Sequence, residues 1–145
     1  MSTVRAEVRD GLGAVERGDR QHFATDVRDA FADSVNLDAA LKVSHPAEPR
    51  WDYLLGHASG GAVVGLEVHP AHDREVGAII DKKAAAQRQL SGHLVPGRRV
   101  ARWLWVASGK ADFARTEKTV FRLAQNGIEF VGRSVLRRHL PPDKD

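Results

Sequence analysis

Asp52, Glu67 and His69 are the residues of this chain whose types and spacing best suit shared chemistry. Glu67 and His69 lie two apart in the valine-rich run Ala62 to His69, which reads as a strand. Alternation puts Val63, Gly65, Glu67 and His69 on one face and Val64, Leu66 and Val68 on the other. The run Trp51 to Leu55 reads as a preceding strand, with Asp52 on the face of Leu54 and Ser59-Gly60-Gly61 as the turn. Hairpin pairing then sets the Asp52 carboxylate beside that of Glu67. Two carboxylates so placed in a half-buried sheet repel each other unless a cation or a shared proton relieves them. Mg²⁺, with Mn²⁺ as a substitute, fits that role: it accepts one or two carboxylates and leaves its other places to water and phosphate.

Other chemistries are poorly served. Glu67, His69 and His72 are zinc-type ligands, but Pro70 intervenes and the spacing matches no strong zinc pattern. The absence of cysteine excludes disulfides, thiolate metal sites and a Cys nucleophile. Gly11-Leu12-Gly13 lacks the third glycine and the preceding strand of a dinucleotide fingerprint, there is no P-loop, and Ser59-Gly60-Gly61 is not a nucleophile elbow.

After Pro70 the pattern predicts a helix from about Asp73 to Leu90. Its stripe Val76, Ile79, Ala86 and Leu90 is interrupted by Lys83, whereas Lys82 shares a more polar stripe with Glu75, Ala78 and Gln89 and is expected to be exposed. A helix, a hairpin with Asp on one strand and Glu-x-His on the next, then a helix and a strand, resembles the PD-(D/E)xK nuclease-like superfamily. The matching residues are Pro49-Arg50-Trp51-Asp52, Glu67-Val68-His69 and the helix carrying Lys82 and Lys83, within a stretch from about Arg20 to Val131. The resemblance implies a restriction-endonuclease-like core, Asp52 and Glu67 as ligands of a catalytic divalent ion, and a lysine two residues after the Glu that orients or activates water. His69 stands at that place, and a neutral imidazole does not reproduce a fixed ammonium. Some members carry the lysine on the following helix, which makes Lys83 the preferred amine and His69 its alternative. The expected catalytic set is therefore Asp52, Glu67, His69 and Lys83. Structural roles stand beside it: Asp52 capping a turn or pairing with Arg50, Glu67 in a salt bridge, His69 satisfied at a strand end, and Lys83 packing its stem while its amine reaches solvent.

The elements that must position these residues follow the same logic. Val4, Val8, Leu12 and Val15 recur at helical spacing, as do Phe23, Val27, Ala30 and Phe31 in Arg20 to Asp33. Leu37 to Val43 reads as a strand. Val100 to Ala107 reads as a buried strand with Trp103 and Trp105 on one face, both expected in the core rather than stacked on bases. Thr116 to Gln125 reads as a helix stopped by Asn126-Gly127, Ile128 to Val131 as a strand, and Val135 to His139 as a last helical turn. This order predicts an α/β fold, a mixed sheet flanked by helices. With 145 residues, 42% of them hydrophobic, the expectation is one domain over residues 1–140 and a disordered tail over 141–145.

The net charge of +3 hides a division along the chain. Residues 1–81 carry 8 Lys and Arg against 14 Asp and Glu, a charge of −6; residues 82–145 carry 14 against 5, a charge of +9. A basic half of this kind suits DNA or RNA, and Lys82, Arg98, Arg99 and Arg102, with Arg133, Arg137 and Arg138, are the expected phosphate contacts. The rival expectation is a catalytically inactive module on the same fold that binds a protein, as a toxin neutraliser or complex subunit does. No apolar stretch suits a membrane span and the first residues do not read as a signal peptide, so a cytoplasmic protein is expected.

Overall fold

Short β-branched and aromatic runs separated by turn residues fold, among the described residues, into a six-stranded mixed sheet with three α-helices. The computed structural model describes residues 7–58, 62–91, 100–109 and 117–141. The expected turns at 59–61 and 96–97, Val4, Arg98, Arg99 and residues 142–145 of the expected tail lie outside the described residues. The strands are β1 (Arg9–Asp10), β2 (Phe31–Asn36), β3 (Tyr53–His57), β4 (Val63–His69), β5 (Val100–Ala107) and β6 (Ile128–Phe130). They stand in the sheet in the order in which they occur in the chain. The pairs from β1 to β4 are antiparallel, whereas β4 with β5 and β5 with β6 are parallel. Parallel neighbours need a crossover, and α2 (Val76–Gln89) and α3 (Glu117–Gln125) lie on those two connections. The short α1 (Leu37–Leu41) links β2 to the approach to β3.

Alternation along the strands divides the core in two. One cluster joins Leu54, Val63, Trp103, Trp105 and Ile128 to Leu37 and Leu41 of α1, Val76, Ile79 and Ala86 of α2 and Leu123 of α3. The other joins Tyr53, Leu55, Val64, Leu66, Leu104 and Val106 to Val15, Phe23, Val27, Val131, Val135 and Leu140. All three helices therefore pack on one face, and the opposite face is closed by 3₁₀ turns and extended segments from both ends of the chain. The expected flanking by helices holds on one side only. Both indoles of β5 are in the core, with Trp51 packed edge-to-face on Trp103 at 5.1 Å.

Three local expectations fail for identifiable reasons. The Arg20 to Asp33 segment forms 3₁₀ turns at Arg17–His22 and Thr25–Val27 and then enters β2. Phe23, Val27 and Phe31 are buried together, as the spacing suggested, but Phe23 makes an isolated parallel bridge to Val135 that a helix would forbid. Over the described part of the first expected helix, β1 and turns replace it, with Gly11 at φ 53°, a conformation glycine tolerates. Leu37 to Leu41 is helical rather than extended, because the Asn36 side chain accepts the Ala39 amide as an N-cap and Leu37, Ala40 and Leu41 turn inward together. No helix among the described residues is long and apolar enough to cross a membrane.

Candidate functional site

Tyr53 pairs with Leu66 across the β3–β4 hairpin, so Asp52, one residue before β3, stands level with Glu67. Reciprocal hydrogen bonds fix this register. The Asp52 amide donates to Glu67 Oε1 at 3.1 Å, and the Val68 amide donates to Asp52 Oδ2 at 2.9 Å. Behind Asp52, its carbonyl accepts the Leu37 amide at 2.8 Å from the first turn of α1. The approach to it is held by Arg50, which donates to Asp38 at 2.9 Å and to the carbonyls of His45, Pro46 and Glu48. Arg50 thus organises the loop and pairs with Asp38, not Asp52.

Glu67 is fully buried, a position a carboxylate occupies only with partners. Its Oε2 accepts Lys82 Nζ at 2.5 Å and lies 3.4 Å from His69 Nδ1. The other imidazole nitrogen, Nε2, lies 2.9 Å from Glu75 Oε2. Carboxylates can only accept, so an imidazole between two of them is favoured as the double donor, the charged form. Glu67 first, and Glu75 with it, raise the His69 pKa above its ordinary value against the opposing effect of burial. The neutral imidazole expected from sequence is thereby biased toward a cation at the motif position. Lys82 and His69, each with 22% of its side chain exposed, form the side of the cluster open to solvent.

Burial, and then the charge of Glu67, push the Asp52 carboxyl up to about 7. Desolvation of the buried carboxyl is the larger cause, and the neighbouring charge adds to it.

Lys82 is not the exposed side chain expected, and Lys83 takes its structural alternative by packing its stem. Lys82 reaches Glu67 on β4, whereas Lys83 reaches toward β5, its Nζ 5.7 Å from the centre of the Trp103 ring and lying against Gly127. Burial lowers the Lys83 pKa. The polar stripe of α2 faces inward because its buried partner is itself charged: Glu75 meets His69, Lys82 meets Glu67, and Gln89 is buried with its amide on the Pro49 carbonyl. The signal in the sequence was the recurrence of Glu75, Lys82 and Gln89 at seven-residue intervals on the same side as Glu67-x-His69. Glu75 was the residue missed.

Arg102 alternates onto the face of Leu104 and Val106, opposite Glu67, and Arg133, Arg137 and Arg138 belong to the segment that covers that opposite face. Arg137 is committed to Asp26 by a 2.6 Å hydrogen bond to its carbonyl. A cleft of about 660 Å³ between α3 and the β5–β6 pair is lined by Trp103, Leu123, Ile128 and Phe130 among others, and includes neither Asp52, Glu67, His69 nor Lys82.

Among the described residues no three His, Asp or Glu side chains converge as one metal site, which disfavours zinc at Glu67, His69 and His72. A two-carboxylate donor set with mutual repulsion suits a hard ion that completes its shell with water and phosphate. Both Glu67 oxygens already accept internal donors, the Asp52 amide and Lys82 Nζ, and the residue is fully buried. No family model matches the chain, and neither a curated protein nor a solved structure matches it.

Proposed function

We propose that this chain is a nucleic-acid-acting domain that hydrolyses phosphodiester bonds at a degenerate PD-(D/E)xK-like site, with Asp52 and Glu67 as the ligands of Mg²⁺ or Mn²⁺. The observation that carries the reading is the cross-tied pair: two carboxylates level on neighbouring strand ends, with an ammonium from the next helix 2.5 Å from one of them. The hairpin, helix and parallel strand that surround the pair occur in the order the superfamily resemblance implies for a restriction-endonuclease-like core.

A divalent ion bound there would supply charge for the phosphoryl oxygens and make water a stronger acid. The remaining work falls to the chain. The strand amides of Asp52 and Val68 hold the two carboxylates in register, so neither must reorganise as charge develops. On the open side Lys82, which reaches Glu67 where Lys83 was the expected amine, and His69, paired with Glu75, stand where a phosphate would enter. Arg102 and the arginines of the opposite face lie away from this entrance and would serve only a nucleic acid that wraps the sheet edge.

Purified protein incubated with DNA or RNA in Mg²⁺ or Mn²⁺ is expected to cleave it, and Asp52→Asn and Glu67→Gln are expected to abolish cleavage with an unchanged circular dichroism spectrum. A second reading, an inactive module on the same fold that binds a protein or nucleic acid, is favoured by one observation: both Glu67 oxygens already accept internal donors. Binding without cleavage in either metal selects that reading. Neither binding nor cleavage at low salt removes nucleic acid from the proposal altogether.

A further inference from the structure

We infer that the cleft between α3 and the β5–β6 pair is a second binding site, which takes a small aromatic carboxylate with its rings against Trp103 and Phe130 and its anionic group on the Lys83 ammonium. The inference is independent of the reading of Asp52 and Glu67, neither of which lines the cleft.

The cleft follows from the shortness of β6. This strand meets β5 at Trp103, Leu104 and Trp105, so Ala101 and Arg102 have no strand on that side among the described residues. Helix α3 spans the gap, but among its described residues Leu123 alone is buried, and Val120 and Ala124 stay exposed on either side of it. The space beneath, about 660 Å³, has the size of a small-molecule site and a mostly apolar wall of Trp103, Val120, Leu123, Ile128 and Phe130. Trp103 and Phe130 set an indole and a phenyl on that wall. They favour an aromatic body over a bare hydrocarbon chain, since rings gain from offset or edge-on contact beyond the area they bury.

The charge of the occupant follows from Lys83. Its Nζ lies 5.7 Å from the centre of the Trp103 ring and 3.1 Å from where a side chain at Gly127 would begin, and both residues line the cleft. The ammonium has three N–H donors, which a ring face attracts but does not satisfy as a carboxylate does. Among the described residues no carboxylate pairs with Lys83, and burial alone lowers its pKa. The charged residues of the lining, Arg102 and Glu129, share the opposite face of the sheet, with Glu129 level with Leu104, and offset each other. Lys83 is therefore the cation whose counter-ion an incoming carboxylate supplies. A half-buried ammonium gains more from that anion than a solvated one does.

The probes are naphthoate, its neutral analogue naphthamide, and decanoate, each titrated into the full chain by calorimetry. Wild type is expected to bind naphthoate about tenfold more tightly than naphthamide, the preference of one charge-assisted hydrogen bond. The backbone amide resonances of Ala124, Gly127 and Ile128 are expected to shift on binding, and those of Leu66 and Val68 to stay. Lys83→Met keeps an apolar stem and is expected to erase the preference by weakening naphthoate alone. Ala124→Phe sets a ring into the cleft from an exposed helix position and is expected to abolish binding of both naphthyl probes. Equal affinity for naphthoate and naphthamide in wild type, or a preference that survives Lys83→Met, overturns the role of Lys83. Decanoate bound as tightly as naphthoate overturns the aromatic body. Absence of binding, or resonance shifts away from the cleft, overturns the site. Should Lys83→Met fail to fold, the wild-type preference and the resonance shifts decide.

Discussion

Leu66 and Glu67 are neighbours in β4, point to opposite faces of the sheet, and are both fully buried. Around Leu66 the sheet meets aliphatic and aromatic side chains, and the buried polar group nearby, the Tyr53 hydroxyl, is satisfied by Asp19 at 2.5 Å and the Glu16 amide at 3.2 Å. Around Glu67 the sheet meets a lysine, a histidine and a second carboxylate. The first face needs only to exclude water. The second must keep charges balanced, which makes it costlier to maintain and more responsive to ions and protons.

Breaking the charged face should have the largest effects. On the proposed reading of Asp52 and Glu67 as Mg²⁺ ligands, Glu67→Gln would remove a ligand charge and is expected to lower metal-dependent cleavage by about a thousandfold, measured as single-turnover rates. Lys82→Met leaves Glu67 buried without its ammonium and should cost about 3–5 kcal/mol in urea unfolding. Adding Glu67→Leu to that variant should recover most of the loss, since an apolar pair can replace a buried ion pair.

On the apolar face the matching change is smaller. Tyr53→Phe keeps the ring and loses two hydrogen bonds, one to a carboxylate, and should cost about 1.5 kcal/mol by the same assay. A cost near that of Lys82→Met would erase the contrast between the faces.

The pH dependence sharpens it. The Asp52 carboxyl titrates near 7 when folded against an ordinary 3.8, so the folded state keeps a proton that the unfolded chain releases between those values. Stability should therefore fall as pH rises from about 4 to about 7, then level off. His69, with its raised pKa, acts in the same direction as pH rises through its folded value, whereas Glu75, with a lowered one, opposes it toward acid pH. Asp52→Asn should flatten the Asp52 part of the slope. The smallest expected effect is that of Lys83→Met, about 0.5–1 kcal/mol for the contact with Trp103.

Legibility in the sequence followed the source of each element's stability. Val100–Ala107 was read with its observed bounds, and β4 and α2 nearly so, because burial against immediate neighbours imposes a clear period on each. Alternation together with hairpin pairing sets Asp52 level with Glu67, as the register has it. Lys82 is not legible this way, because an apolar stripe does not mark the inward face where the inward partner is a carboxylate. The segment from Arg20 to Val27 was misread because what shapes it is remote: the Val135 amide donates to the His22 carbonyl at 2.7 Å, and the Val135 carbonyl accepts the Ala24 amide at 3.0 Å. Leu37–Leu41 was misread although its inward residues, Leu37, Ala40 and Leu41, have helical spacing and follow a capping asparagine.

The order of the strands has a kinetic consequence. Since β1 to β6 stand in the sheet as they stand in the chain, each strand finds its partner in the one just before it, and most pairing closes short loops or single crossovers. The ties of His22, Phe23, Ala24 and Asp26 to Arg133, Val135 and Arg137 are the exceptions, the His22–Arg133 and Asp26–Arg137 contacts each spanning 111 residues. Their closure entropy is repaid only once the sheet between their ends exists, which makes docking of the two terminal segments a late step. Substitutions in Phe23 or Val135 should accordingly accelerate unfolding while leaving the folding rate nearly unchanged.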